Sequence, residues 1–266
     1  MKARFRDLVV AEWIRFWSLR STRWGLLVCT VLILYVNISA AFWDETFFDR
    51  LPVEEQRHFY ALGDAFQNNA YLFMIFAMST MGALSIVGEL SSGLIRTTFA
   101  AVPDRRAVLL AKAAVVGAVF TLVGAFIALT SFFVTQAILA DRHVGLSITD
   151  PGVPRAVLAA VLLAPVCALT GLGIGTVLRH PATTAVFLGV LLLLVPQFTR
   201  DDKLWKADIR HTMIVSAWQR LADIWPAVTR PGVFYPPTLL GSWVVYAAWP
   251  IAALALALIT LRRRDV

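Results

Sequence analysis

Charge is scarce in this chain. Asp, Glu, Lys and Arg make up 15% of its 266 residues, whereas 59% are hydrophobic; a soluble domain carries roughly 25% charged residues and at most about half apolar ones. A soluble globular fold is excluded on that balance. Cysteine is nearly absent too. Cys29 and Cys167 both sit inside apolar runs, where a small buried thiol is the ordinary reading, which argues against a disulfide or a cysteine metal pair. The motifs of self-powered chemistry are also missing. The sequence has no G-x-x-x-x-G-K-[ST] phosphate loop and no H-E-x-x-H zinc helix, and no Ser, His and Asp set lies together within the apolar runs. Those runs are nearly free of ionisable groups, whereas proton- or sodium-coupled carriers and intramembrane proteases need them at mid-depth. If the chain transports anything, its energy comes from another polypeptide.

What the chain does have is long apolar sequence. Mean hydropathy is +0.72, and a hydrocarbon core about 30 Å thick takes roughly 20 apolar residues per helix. Six spans are expected, at about 24–43, 70–88, 108–140, 155–178, 182–198 and 243–261, and no separate soluble domain fits beside them. The fold class is an all-α membrane protein. Residues 1–23 form an amphipathic helix in the membrane interface, with Phe5, Leu8, Val9, Trp13, Phe16, Trp17 and Leu19 on one broad side and Arg4, Asp7, Arg15 and Ser18 opposite. Glu12 alone breaks the apolar arc; it either pairs with Arg15 on the helix surface or contacts a partner. No cleaved leader is expected, because the first apolar run is of full spanning length.

Between the second and third spans lies a polar interval, 89–107, punctuated by Ser91, Ser92, Gly93, Pro103 and Asp104. The first three interrupt one helix, Pro103 closes the short apolar piece that follows, and Asp104 can cap the next helix. A short helix at about 94–101, held across the membrane face, suits docking to a soluble partner better than chemistry of its own. Glu89 and Lys112, at span ends, are expected to snorkel. Gly171 and Gly175 have the small-xxx-small spacing of close helix packing. The long polar interval 200–241 contains Ile214, Trp218, Leu221 and Trp225 at helical spacing, which predicts a short amphipathic helix on the outer side or one dipping back to membrane depth. His180 reads as an ordinary loop histidine or a partner contact.

Lys and Arg near the span ends set the orientation. One side carries Lys2, Arg4, Arg6, Arg15, Arg20, Arg23, Arg96, Arg105, Arg106, Lys112, Arg179 and Arg262 to Arg264; the other has Arg50, Arg57, Arg142, Arg155 and the dispersed cations of the last loop. Both termini are therefore expected in the cytoplasm. The net charge of +7 follows from topology, since the cations form no basic block of the kind that binds nucleic acid.

Three places resemble the membrane subunit of bacterial ATP-binding-cassette exporters of the type-2 permease class. They are Ala11-Glu12-Trp13-Ile14-Arg15 with Leu19-Arg20-Ser21-Thr22-Arg23-Trp24, similar to the family's connecting helix; Glu89 through Gly93, Arg96, Pro103, Arg105, Arg106 and Lys112, similar to its first cytoplasmic loop and coupling helix; and Gly171-Leu-Gly-Ile-Gly175 with Leu178-Arg179-His180, similar to its fourth span and inner turn. The resemblance implies a connecting helix over 1–23, a permease domain over 24–266 and re-entrant outer helices at about 209–237. It implies a permease pair, from a second copy or a paralogue, bound to two cytoplasmic ATPase subunits that hold ATP and Mg, with no cofactor on this chain. Glu89, Gly93, Arg96, Pro103 and Arg106 are then the expected coupling residues, with Glu12 and Arg15 on the connecting helix. The expected activity is export of an amphiphilic or hydrophobic substrate such as a drug, antibiotic, peptide or lipid-like molecule across the bacterial cytoplasmic membrane, the chain itself not being an enzyme. Two other classes stay open: a membrane-embedded enzyme acting on a lipid-linked substrate, for which the acidic stretch from Asp44 to Glu55 with His58 is the nearest candidate, and a regulatory membrane subunit.

Overall fold

A computed structural model describes residues 4–57, 59–102, 104–199, 203–223 and 237–263, and among these every regular element is helical. In chain order they are α1 (Phe5–Ser18), α2 (Arg20–Phe47), α3 (Val53–Arg57), α4 (Leu62–Ala65), α5 (Asn68–Ser91), α6 (Leu94–Ala101), α7 (Arg105–Leu139), α8 (Val153–Leu178), α9 (Pro181–Gly189), α10 (Val195–Phe198), α11 (Leu204–His211), α12 (Ile214–Ala222) and α13 (Leu239–Arg263). Six helical runs are long and apolar enough to cross a membrane: Arg20–Arg50, Leu62–Ser91, Arg105–Arg142, Val153–Leu178, Pro181–Phe198 and Leu239–Arg263. The chain has the character of a multi-pass membrane protein.

Several boundaries differ from the sequence reading, each for a local reason. The break between the first two helices falls at Leu19, which is extended (φ −80°, ψ 113°), and not after Arg23. Arg20 to Arg23 contain no breaker and wind directly into α2 as its first turn. The last span begins at Leu239, not Trp243, so the polar interval after α10 is shorter than 200–241. The fifth span is not one regular helix: residues Val190–Leu194 widen into a π-helical turn before α10. Pro196 has no N–H for the carbonyl of Leu192, and the wider register accommodates that loss. At 35 residues, α7 is about 52 Å long and overruns a bilayer core.

The column at the centre is α8. In its most apolar stretch 78% of residues are buried, against 22% for the corresponding stretches of α2, α9–α10 and α13. Its neighbours are α5, α7, α12 and α13, and small residues let them approach. Gly171 lies against the backbone of Ser79 on α5, Gly82 of α5 lies against Ala168, and a methyl at either would run into a carbonyl. Gly175 sits on Ala83 and Val87, so the Gly171 and Gly175 pair packs α8 onto α5.

At the end away from α6, neutral polar groups hold the irregular segment before α5. Asn37 Nδ2 donates to Ser131 Oγ and that hydroxyl donates to the Ala65 carbonyl, both at 2.7 Å; Gln136 Nε2 donates to the Ala61 carbonyl at 3.1 Å. Backbone that would otherwise need water is satisfied by side chains of α2 and α7. Arg142 bridges Glu45 (3.3 Å) and Asp49 (2.7 Å), so these two carboxylates of the acidic stretch are tied to the end of α7. In α12, Ile214, Trp218 and Leu221 are buried, with Trp218 stacked on Tyr71 at 4.9 Å. Asp223 pairs with Arg155 at the start of α8 (2.9 Å). Trp225, Pro226, Pro231 and Pro236, like His58 and Arg264, lie outside the described residues.

Candidate functional site

The short helix foreseen between the second and third spans is α6, and its punctuation works as the residue types require. Ser92 closes α5 with its N–H on the Gly88 carbonyl at 3.2 Å. Gly93 then takes φ 76°, a left-handed conformation open to glycine at little cost. Asp104 caps α7, accepting from the N–H groups of Arg106 and Ala107 at 3.1 Å each. Arg105 reaches the Leu261 carbonyl at 2.9 Å, and its guanidinium lies 5.3 Å over Phe99. The start of α7, the end of α13 and α6 therefore share one end of the bundle. The start of α2 lies at that end as well, with Leu19 and Thr22 bordering the same cavity as Glu89 and Lys112.

Beneath α6 sits a four-membered charge cluster built from three helices. Lys112, on the second turn of α7, points inward and is 4% exposed. Its Nζ lies 2.5 Å from Glu12 Oε2 on α1 and 2.7 Å from Glu89 Oε1 on α5, and it also donates to the Ser85 carbonyl at 3.2 Å. Arg15 closes the ring from the surface, 3.1 Å from Glu12 Oε1 and 3.2 Å from Glu89 Oε2. Its second nitrogen reaches Thr98 Oγ1 of α6 at 3.5 Å. Two carboxylates and two cations make the seat neutral, and the hydrogen bonds to Lys112 meet the condition under which charge tolerates burial. Phe16, one turn beyond Glu12, packs edge-on to Phe120 of α7 at 6.3 Å, anchoring α1 by apolar contact beside the charges. A cavity of about 20 Å³ adjoins the cluster between Phe16, Thr22, Ser85 and Val116, room for a single water. A wider cleft of about 290 Å³ opens between α1 and α6, lined by Leu8, Ala11, Arg15, Thr97, Thr98 and Val108.

Of the residues singled out from sequence, Glu12, Arg15 and Glu89 meet in this cluster, while Gly93 supplies the turn into α6. Arg106 stands apart, exposed on the first turn of α7. Arg96 lies on α6, but its side chain, like all of Pro103, is outside the described part of the structure. Two readings change. Glu12 is not merely half of a surface pair: it is 6% exposed and its second oxygen is held by Lys112, a hundred positions along the chain. Lys112 does not snorkel, because two carboxylates and a carbonyl draw it inward. Sequence reasoning passed over Lys112 as a site residue. The available signal was a pair of opposite charges, Glu12 and Lys112, each alone on an otherwise apolar face. His180 accepts from the Thr183 N–H at 3.4 Å as the cap of α9.

The sequence matches no protein-family model and no curated protein. Among the described residues no group of three or more His, Cys, Asp or Glu side chains is placed to hold a metal ion. The four charged groups of the cluster are engaged with one another. What it can do is fix the relative positions of α1, α5 and α7 beside α6.

Proposed function

We propose that this chain is the permease subunit of an ATP-binding-cassette exporter of the type-2 class. In this reading α1 is the connecting helix, lying in the cytoplasmic interface, and α6 is the coupling helix that receives force from a soluble ATPase. The observation that carries it is the cluster of Glu12, Arg15, Glu89 and Lys112. A short helix spans two crossings, a separate amphipathic helix is pinned beside it by buried charge, and both border an open cleft. Such an assembly is suited to taking up a push from outside the bilayer and delivering it to α2, α5 and α7. The excess of Lys and Arg at this end supports a cytoplasmic location for it and for both termini. The segment holding α11 and α12 is then the outer, re-entrant part.

Two such permeases, identical or paralogous, would enclose the substrate path, and two ATPase subunits would hold ATP and Mg. Nucleotide binding would favour one arrangement of α6 over another, a shift in population driven by differential affinity. An amphiphilic or hydrophobic cargo fits the apolar, aromatic crossings.

Purification of the tagged full-length chain from its native membranes, together with its expected ATPase partner, tests the assignment. The ATPase should copurify, and its turnover should depend on this chain. A Thr97→Cys variant should react with a membrane-impermeant maleimide only after cells are permeabilised. Labelling in intact cells, or processing of cargo by the isolated chain, would refute the proposal.

A further inference from the structure

The first turn of α2 is electrostatically inverted. A helix N-terminus carries partial positive charge and favours acids, yet α2 opens on Arg20 and reaches Arg23 within one turn, with no acidic residue there and no side-chain cap from Leu19. Both arginines are exposed, and among the described residues neither guanidinium meets a carboxylate. With Trp24 and Leu27 they line an open cleft of about 350 Å³. The same face continues away from the arginines as Trp24 (65% exposed), Leu27 (53%) and Val31 (56%). From Arg20 to Val31 is about 16 Å along the helix, close to half of a hydrocarbon core about 30 Å thick.

We infer that this cleft binds an anionic phospholipid: the phosphodiester is held by Arg20 and Arg23 at the uncapped end of α2, and an acyl chain lies along Trp24, Leu27 and Val31. The guanidinium fork matches phosphate oxygens in two-point geometry, and the free N–H groups of the first turn add to the same anion site. A soluble anion would use the arginines but not the apolar track, and an acidic peptide would gain nothing from a track of acyl-chain length. The inference requires only that α2 cross a membrane and does not rest on the transport assignment.

The test is lipid binding to the purified full-length chain, counted as adducts by native mass spectrometry from mixed micelles. Dioleoylphosphatidylglycerol is compared with dioleoylphosphatidylcholine at equal concentration. The first adduct should favour the anionic lipid roughly five- to thirtyfold, from two juxtamembrane cations, and the preference should shrink as salt rises. Arg23→Gln should weaken it, Arg20→Gln with Arg23→Gln should bring it to parity, and the double lysine variant should keep part of it, since charge remains while the fork is lost. Arg262→Gln with Arg263→Gln, an equal loss of charge at the end of α13, should leave it unchanged. Equal binding of the two lipids, a preference that survives in the double glutamine variant, or an equal loss in the α13 variant would overturn the site. Displacement by millimolar inorganic phosphate would overturn the lipid in favour of a free anion, and loss of the preference on adding an acidic peptide would overturn it in favour of a protein partner.

Discussion

Replacing Lys112 by methionine keeps the unbranched shape of the side chain, one atom shorter, and deletes its charge. The seat then holds Glu12 and Glu89 against Arg15 alone, a net charge of −1 where the parent is neutral. Breaking a buried ion pair by removing one partner costs about 3–5 kcal/mol, because the remaining charge stays buried without compensation. Arg15, with 42% of its side chain exposed, is screened by solvent and offsets little of this. At about 2–4 °C per kcal/mol for a chain of this size, unfolding should shift down by roughly 6–20 °C. The native thiols supply the assay. Cys167 is buried and Cys29 half-buried, so a thiol-reactive fluorophore reports heating-induced opening of the apolar core. Adding Glu12→Gln to Lys112→Met restores neutrality and should recover part of the loss, with a coupling of about 1–3 kcal/mol between the two sites. Glu89→Gln should couple to Lys112→Met in the same sense. If the losses simply add, or if Lys112→Met melts within a degree or two of the parent, the cluster does not hold these helices together and its place in force transfer fails.

Other expectations are sharper in kind than in size. Gly171→Val drives a side chain into the Ser79 carbonyl and should cost at least about 3 kcal/mol, beyond ordinary overpacking, seen as loss of the monodisperse peak in size exclusion. Gly93→Ala meets open space, since nothing lies within 4 Å of the added carbon; its φ of 76° still costs about 1–2 kcal/mol, and Gly93→Asn should cost less in the same thiol assay. Asp104→Ala removes the cap of α7 and should cost about 1 kcal/mol, read as faster amide exchange over residues 105–108. Arg155→Gln frees the Leu221 carbonyl (3.0 Å) and leaves Asp223 to Arg220 alone, at 3.5 Å, so amide exchange should rise in α12 while α6 is unaffected.

Features encoded within a few residues were legible in the sequence. Six apolar runs, the breaks at Gly93 and Asp104, and the 94–101 helix all follow from length, hydropathy and punctuation acting locally. The apolar stripe of Ile214, Trp218 and Leu221 likewise shows on α12 as its buried side. Features set by distant partners were not legible. Lys112 reads as a span-end cation until Glu12 arrives beside it from a hundred positions away. In the stretch before α5, Asp64 is 3% exposed and Phe66 fully buried, because Tyr71 packs on Phe66 and side chains of α2 and α7 take up the backbone. The break at Leu19 carries no glycine or proline to announce it; it arises where α1 turns to bring Phe16 onto Phe120.

The buried polar contacts at the two ends of the bundle differ in chemistry, neutral at one and ionic at the other. Away from α6, the buried contacts of Asn37, Ser131 and Gln136 are neutral, and the ion pairs of Arg142 and Arg155 lie nearer the surface. In the middle, α5 and α8 touch backbone to backbone through Gly82 and Gly171, with no clearance for sliding, so these two helices behave as one body. At the α6 end the fastening is ionic and its outermost member, Arg15, is half in solvent. On α6 itself, Thr98 touches Arg15 while Ile95 is buried in the core. Loss of Arg15 leaves Lys112 still holding Glu12 and Glu89, so α1 and α5 stay joined. Separating α1 from α5 requires Lys112 to choose between its two carboxylates, a step with two discrete outcomes. One buried cation therefore ties α1 to both α5 and α7, and Leu19 is the extended residue that separates α1 from α2.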